Sequence, residues 1–557
     1  MKRGPPRSGG AATATPGGGA MDSEQVSTPS VSRWAWVAPI ATVFVSSLCI
    51  MVLELVAGRL IARHVGSSLY TWTSVIGIVL SGIAAGNYIG GRLADRFPPK
   101  ETLSLIFLVA SANCLLIPVL NNRIGGMEFL RELEWPVRIA LHVFLVFFAP
   151  SCLLGMISPS AAKMAIVLGQ QLGRTIGNVY SWGAIGSILG TFLTGYVLIA
   201  EMGTTAVLLS VAAVLLLLAL LYGGASLLPY LWTGVLIAVM FAAWAPFPWA
   251  RVVGERLGYR EPRMEAVLYH DESQYSVIRV EEVIETAGLR SMTLDHLVHA
   301  YVDLNDPDNL HYDYERVYAG ITNEAVQAYH PDQEVRALFL GGGGYVFPRW
   351  FLRHYPRGIG EVVEIDPQVT RAAFDAFDLE PDTPLRIEHL DARNRVDELF
   401  AQAQRGELER KFDLVYNDAF NHYSPPFHLT TLEYVRKLRA VMSDDSVFMA
   451  NTIDIFRSGR FLGAMINTVE QVFPYVYTFG TSPGGPTDED ERDTFVVVGS
   501  TRLLPVQDLD YVKYAADLLS PQHTALLRER SRGLVLTDDY APVDNLLAPV
   551  IRLVERQ

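Results

Sequence analysis

About seven apolar runs within the first 250 residues constrain this chain more than any other feature. Each is long enough to cross a hydrocarbon core, for which a helix needs roughly 20 residues. They lie near 36–62, 69–91, 102–121, 137–166, 175–200, 205–223 and 228–249. Residues 34–250 are therefore read as an all-α polytopic domain whose solvent is the lipid bilayer. Composition agrees, since 50% of the 557 residues are hydrophobic, a high share for a soluble enzyme. Residues 1–33 are rich in Gly, Ala, Pro, Ser and Thr. Such a stretch buries too little to offset its ordering entropy and is expected to be a disordered tail. The first apolar run begins too late and runs too long for a cleavable signal peptide.

Small residues recur at helical spacing in two of the runs, as Gly82, Gly86 and Gly90 and as Gly186 and Gly190. Positions four apart share a helix face and let backbones approach closely in lipid. Glu54 and Arg59 place ionisable groups inside the first run, where charge ordinarily faces a partner or a cavity. They mark a polar pathway, an internal ion pair, or an Arg59 that reaches to the interface. The second run closes on Gly90-Gly91-Arg92-Leu93-Ala94-Asp95-Arg96 and Pro98-Pro99-Lys100. That segment resembles the loop between the second and third helices of major facilitator transporters, cytoplasmic in that family. The likeness covers this loop and the glycine pattern of the fifth run. Arg251, Arg256 and Arg260 flank the last run, and the loop before it carries no charge. By the positive-inside rule the region after it is cytoplasmic, which over seven runs opposes the signal of the basic loop.

Net charge is −14, with no strongly basic tract beyond the extreme N-terminus, so a nucleic-acid groove has no electrostatic support. Cys49, Cys114 and Cys152 all lie in apolar segments, which leaves no disulfide framework or Cys-ligated zinc site for the second half. His389, His422 and His428 fall in no metal-ligand spacing and are read as surface or packing residues.

From residue 262 the character changes. Ser276–Val280 opens a small β-rich part at 262–330. Strands then alternate with helical stretches at Arg336–Leu340, Glu361–Ile365, Leu385–Glu388, Leu414–Asn417 and Ser446–Asn451. This alternation predicts an α/β Rossmann-like domain over 331–557, with a doubly wound, mostly parallel sheet.

Ala337-Leu338-Phe339-Leu340 runs directly into Gly341, Gly342, Gly343 and Gly344. A backbone turning beside a ligand leaves no room for Cβ, and ligands of this class lie at the carboxyl ends of the strands. About 20 residues on, Glu364 and Asp366 end the second strand, a spacing that suits a carboxylate accepting from both ribose hydroxyls. The third strand ends at Asp391-Ala392, where a carboxylate can take the adenine amine, and the fourth at Asp418. No glycine loop ending in Lys-Ser or Lys-Thr is present in this region. The site is read as built for adenosine without phosphates.

In order, Leu294-Asp295, Tyr312, Gly341-Gly342-Gly343, Val363-Glu364-Ile365-Asp366, Asp391-Ala392 and Asp418 are similar to the spermidine synthase family. Pro425-Pro426-Phe427-His428-Leu429 and Glu433-Tyr434 extend the likeness to roughly 265–500. The layout resembles the bacterial members in which a multi-pass membrane module is fused to the synthase-like domain, and Leu536–Asp544 fits that group. The resemblance implies a transferase: an amine attacks the methylene beside the sulfonium of decarboxylated S-adenosylmethionine, and methylthioadenosine leaves. It implies Asp418 as catalytic base, Gly341, Gly342, Gly343, Glu364, Asp391 and Ala392 as donor-binding residues, and Tyr275, Tyr312, Asp313 and Asn421 at the amine. The sulfonium activates its own leaving group, so neither a metal nor a permanently bound cofactor is implied.

The match fails at the amine end. The family's glycine loop has Asp then Gly where this chain has Gly344 and Tyr345. A second catalytic-loop acid is Asn421, the Tyr-Gln pair of the first sheet is Tyr275-Ser276, and another glutamine is His299. Each lost carboxylate would remove a charge-assisted contact of about 1.5–3 kcal/mol, unless Asp313 replaces one. Methyl transfer from S-adenosylmethionine is the alternative chemistry, favoured if Arg349 faces the sulfonium. A transporter or sensor regulated by an adenosyl ligand or polyamine, without turnover, is the alternative class. Expected partners are a small-molecule amine and the bilayer, with no nucleic acid, and a homo-oligomer is compatible. The expected place is the cell membrane, with the C-terminal domain cytoplasmic beside its nucleotide-derived substrate.

Overall fold

The computed structural model of the protein describes residues 33–66, 68–224, 226–260, 266–332, 334–420, 424–482, 486, 491–506 and 509–550. All but the last residue of the expected tail lies outside them. The helical region runs through α1 (Arg33–Val65), α2 (Leu69–Arg96), α3 (Pro99–Gly125), the one-turn α4 (Glu128–Arg131), α5 (Trp135–Gly155), α6 (Ile157–Val167), α7 (Leu172–Leu193), α8 (Ile199–Gly223), α9 (Leu227–Trp244) and α10 (Pro248–Arg256).

Among the described residues, six helical stretches are long and apolar enough to cross a membrane. One of them, Leu172–Gly223, counts 52 residues, about 78 Å if straight and far beyond a hydrocarbon core of about 30 Å. It breaks at Gly203, whose φ of 72° and ψ of 164° lie outside the helical region. Gln170, just before α7, donates to the Trp36 carbonyl at 3.2 Å, and Tyr222, near the end of α8, bonds Thr42. Both ends of the stretch thus stand by the start of α1, so the chain reverses at Gly203. The two runs expected at 175–200 and 205–223 are separated there.

The glycine stripes are helix contacts. A Cβ on Gly86 would strike the Cys152 carbonyl, and one on Gly186 the Phe44 carbonyl. Backbone meets backbone along α2–α5 and α1–α7 because nothing projects between them.

Then β1 (Val267–Glu272), β2 (Val277–Glu282), β3 (Leu289–Leu294) and β4 (Leu297–Asp303) form an antiparallel sheet in that order. Next come α11 (Asp313–Tyr329), β5 (Arg336–Leu340), α12 (Val346–His354), β6 (Ile359–Val363), α13 (Pro367–Ala376), β7 (Arg386–Glu388), α14 (Ala392–Arg405) and β8 (Phe412–Asn417). The remainder includes α15 (Leu432–Val441), β9 (Met442–Ile455), α16 (Arg460–Glu470), β10 (Tyr475–Gly480), β11 (Arg492–Ser500) and β12 (Asp517–Leu518).

The second sheet is ordered β12-β10-β11-β9-β8-β5-β6-β7. Strands β5 to β9 are parallel, while β10, β11 and β12 join antiparallel. This is the expected Rossmann-like architecture. Both faces are covered: Ala337, Phe339, Leu414 and Tyr416 pack into one core, and Leu338, Leu340 and Val415 into the other. Side chains alternate across a strand, so runs buried on both sides read as continuously apolar. Strand β5 lies between β6 and β8, from which the chain winds outward in opposite directions. The crevice at the carboxyl ends of β5 and β8 is the topological switch point where ligands of such sheets bind.

Candidate active site

The glycine loop leaves β5 in a shape that only a residue without Cβ adopts readily. Gly341 has φ 109°, and a Cβ there would collide with the Asp418 carbonyl. The loop thus presses against the end of β8, with Asp418 N–H donating to the Leu340 carbonyl at 2.9 Å. Behind it Tyr345 is a left-handed residue at φ 56°, wholly buried, its hydroxyl 2.6 Å from Thr370 Oγ1. That ring fills the floor beneath Gly342.

Position 344 does not open into the crevice. A Cβ on Gly344 would meet Ala300 Cβ at 2.8 Å, with Val302 beside it. The acid that the family carries here is therefore excluded by the packing of β4. Arg349 is turned away as well: it donates to the Phe377 carbonyl at 2.6 Å and the Tyr345 carbonyl at 3.1 Å. Burial and neighbouring Arg353 lower its pKa to about 10. The condition set for methyl transfer, an arginine facing the sulfonium, is not met by this residue.

Glu364 leaves β6 at the crevice wall, 8% exposed. Its Oε2 accepts the Gly342 N–H at 2.8 Å and its Oε1 the Asp366 N–H at 2.9 Å. Burial raises its pKa, and those N–H donors hold it down against that. Asp366 caps α13 by accepting the Gln368 N–H at 3.0 Å, and it also accepts the hydroxyl of Ser273. Tyr275 stands half exposed over this wall. Burial, then the charges of Asp366, Asp391 and Glu364, raise its phenol pKa.

Asp391 is the N-cap of α14, with Oδ1 accepting from the Arg393 and Asn394 N–H groups at 2.8 and 3.2 Å. Its Oδ2 lies 3.2 Å from His428 Nε2, the contact that chiefly lowers its pKa. His428, read from the sequence as a packing or surface residue, is thus a partner of a site carboxylate. Ala392 is buried beside it. Arg393 bonds the Asp538 carboxylate at 2.7 Å, which ties the otherwise unexplained Leu536–Asp544 segment to this wall.

Asp418 is half-buried at the end of β8. Asn451 Nδ2 donates to its Oδ1 at 2.9 Å and the Tyr314 hydroxyl also donates to it. Burial raises its pKa, and both donors oppose the rise. A carboxylate so placed can take a proton from a nucleophile within reach. Tyr312, N-cap of α11, gives its hydroxyl to the Val298 carbonyl at 3.0 Å, with its ring against Tyr301 and Tyr314.

Asp313 is exposed and paired with Arg316 at 2.9 Å. Of the residues beside it, Tyr314 and Glu315 are the ones that approach Asp418, and neither was expected there from the sequence. Glu315 is 4% exposed, and its Oε2 has no hydrogen-bond partner. Burial and then the charge of Asp418 raise its pKa to about 8. Its other tie is the N–H of Tyr312, the N-cap of α11. Asn421 and His422 lie outside the described residues. No group of three or more His, Cys, Asp or Glu able to hold a metal occurs among the described residues.

No family model matches the chain. It is 30% identical over 151 residues to the polyamine aminopropyltransferase of Vibrio vulnificus, covering 27% of this chain and 47% of that protein. It is also 31% identical over 221 residues to the N-terminal histidine N-methyltransferase of Emericella nidulans, covering 39% and 36%. The chain thus spans about half or less of the length of these curated relatives. A solved structure of a probable spermidine synthase from Corynebacterium glutamicum aligns with a TM-score of 0.42 at 18% identity, covering 51% of this chain and 99% of that one.

Proposed function

We propose that the protein is a multi-pass membrane aminopropyltransferase whose cytoplasmic domain uses decarboxylated S-adenosylmethionine to alkylate a small amine. The observation that carries this reading is Asp418, a half-buried carboxylate held by two donors on a residue whose backbone packs against the glycine loop. Glu364 accepts from the ribose hydroxyls, and Asp391 faces the adenine amine. The neutral amine attacks the methylene carbon beside the sulfonium. A carbon–nitrogen bond forms, the carbon–sulfur bond breaks, and its electron pair neutralises the sulfur of departing methylthioadenosine. The extra proton on nitrogen passes to Asp418. Tyr312, Tyr275 and, by the family pattern, Asn421 line the amine end.

Gly344 favours a second reading on one point, because no acid stands there to receive the donor's free ammonium. Methyl transfer from S-adenosylmethionine would leave S-adenosylhomocysteine instead. The test is product analysis with the full chain in detergent or nanodiscs, each donor being offered with a panel of amines. Methylthioadenosine release that needs an amine and is lost in Asp418→Asn supports the first reading, and S-adenosylhomocysteine replaces it with the second. Donor binding without either product defeats both and leaves a sensor or transporter role.

A further inference from the structure

We propose that the first membrane helix is a built part of the nucleoside site, with Arg59 as its positioning residue. The inference rests on the reading of Glu364 as the ribose ligand. Arg59 stands in the last two turns of α1, and its terminal nitrogens donate to the Ser273 carbonyl at 2.6 Å and the Gln274 carbonyl at 2.8 Å. Both carbonyls belong to the connection between β1 and β2. A guanidinium presents its donors in a rigid fork, so it fixes the angle as well as the distance of this connection.

Glu272, at the end of β1, seals the joint. It lies 3.6 Å from Arg59 and 3.2 Å from Arg63, and it accepts the Thr204 N–H at 3.4 Å. Thr204 is the first residue beyond the Gly203 break. A carboxylate is favoured at the exposed N–H groups of such a helix start. Three membrane-region groups thus converge on one acid of the soluble part.

From there a short relay reaches the site. The Ser273 hydroxyl donates to Asp366, the Asp366 N–H donates to Glu364 Oε1 at 2.9 Å, and Glu364 Oε2 takes the Gly342 N–H at 2.8 Å. Ser273, Asp366 and Glu364 are 4%, 2% and 8% exposed, so water is poorly placed to substitute for a lost link. The corner between α1 and α2 makes a second contact. Tyr70 donates to Asn545 at 2.5 Å, and Asp544 beside it bonds Ser424 at 3.0 Å, in the segment that follows Asp418. The first two helices therefore touch the C-terminal part at two places, the β1–β2 connection and the segment around Asp544.

The test is calorimetric titration of the full chain in nanodiscs with methylthioadenosine as probe, followed by turnover. Arg59→Ala is expected to weaken binding by about tenfold or more. Arg59→Lys, which keeps the charge and loses the fork, is expected to fall between. Ser273→Ala alters no membrane residue and is expected to follow Arg59→Ala. Arg92→Ala, at the far end of α2 over the Tyr88 ring, is expected to bind as the unaltered chain does. In turnover the donor KM rises while kcat holds within about twofold. Unchanged binding in Arg59→Ala overturns the proposal, and if Arg59→Ala fails to fold, unchanged binding in Ser273→Ala overturns it. An unaltered chain that does not bind methylthioadenosine overturns the ribose reading itself, before any substitution is made.

Discussion

Asn451 on β9 donates its amide to Asp418 at the end of β8 at 2.9 Å. The bond crosses neighbouring parallel strands and fixes the carboxylate at their carboxyl ends. If Asp418 is the base, Asp418→Asn lowers kcat by roughly 100- to 10,000-fold, the usual contribution of general base catalysis. On the proposed reading Glu364 and Asp391 hold the nucleoside, so methylthioadenosine affinity is expected to stay near that of the unaltered chain. Single-turnover kinetics beside a binding titration separates the two.

The same pair sets a pH dependence. Burial raises the Asp418 pKa while Asn451 and Tyr314 hold it down. The acid limb of kcat/KM should therefore lie above the ordinary aspartate value of about 3.9. Removing a donor to the charged form raises the pKa further. In Asn451→Ala the limb is expected to move to higher pH, and a shift to lower pH would contradict the assignment.

Glu315 makes a separate prediction about stability. Its folded pKa of about 8 stands above the unfolded value of about 4.3. Between those values the folded state holds a proton that the unfolded state has released. Its contribution is thus complete below the unfolded value and lost as pH rises to about 8, with a slope near 1.4 kcal/mol per pH unit. Glu315→Gln should flatten that part of the profile in thermal unfolding from pH 5 to 8.

Helix packing offers a control on the N-terminal helical region. Gly86 has the Cys152 carbonyl where a Cβ would stand, whereas Gly77 has nothing within 4 Å. Gly86→Val is expected to destabilise by about 1–3 kcal/mol or more through overpacking. Gly77→Val should leave the melting temperature of the purified chain almost unchanged.

Much of this architecture was legible in the residues. Apolar length marked the long N-terminal helices, and the acids that follow the strands placed Glu364, Asp391 and Asp418 at strand ends. These are local signals, carried by a dozen or so consecutive residues. Positions 313–315 were less legible for the same reason. One residue of helix turns a side chain by about 100°, and sequence order alone does not tell which of Asp313, Tyr314 and Glu315 faces inward.

Arg59 shows the limit most clearly. The sequence offered Glu54 as its partner, but five residues along a helix is about 140° of turn, and the two do not meet. Its partner is Glu272, more than 200 residues away, brought there because the chain reverses at Gly203 and α1 ends beside the first β-sheet. The sequence by itself determined which segments are apolar, which strands alternate with helices and where acids end them. Only the tertiary structure decided which acid meets which base, because an ion pair depends on distances that periodicity does not encode.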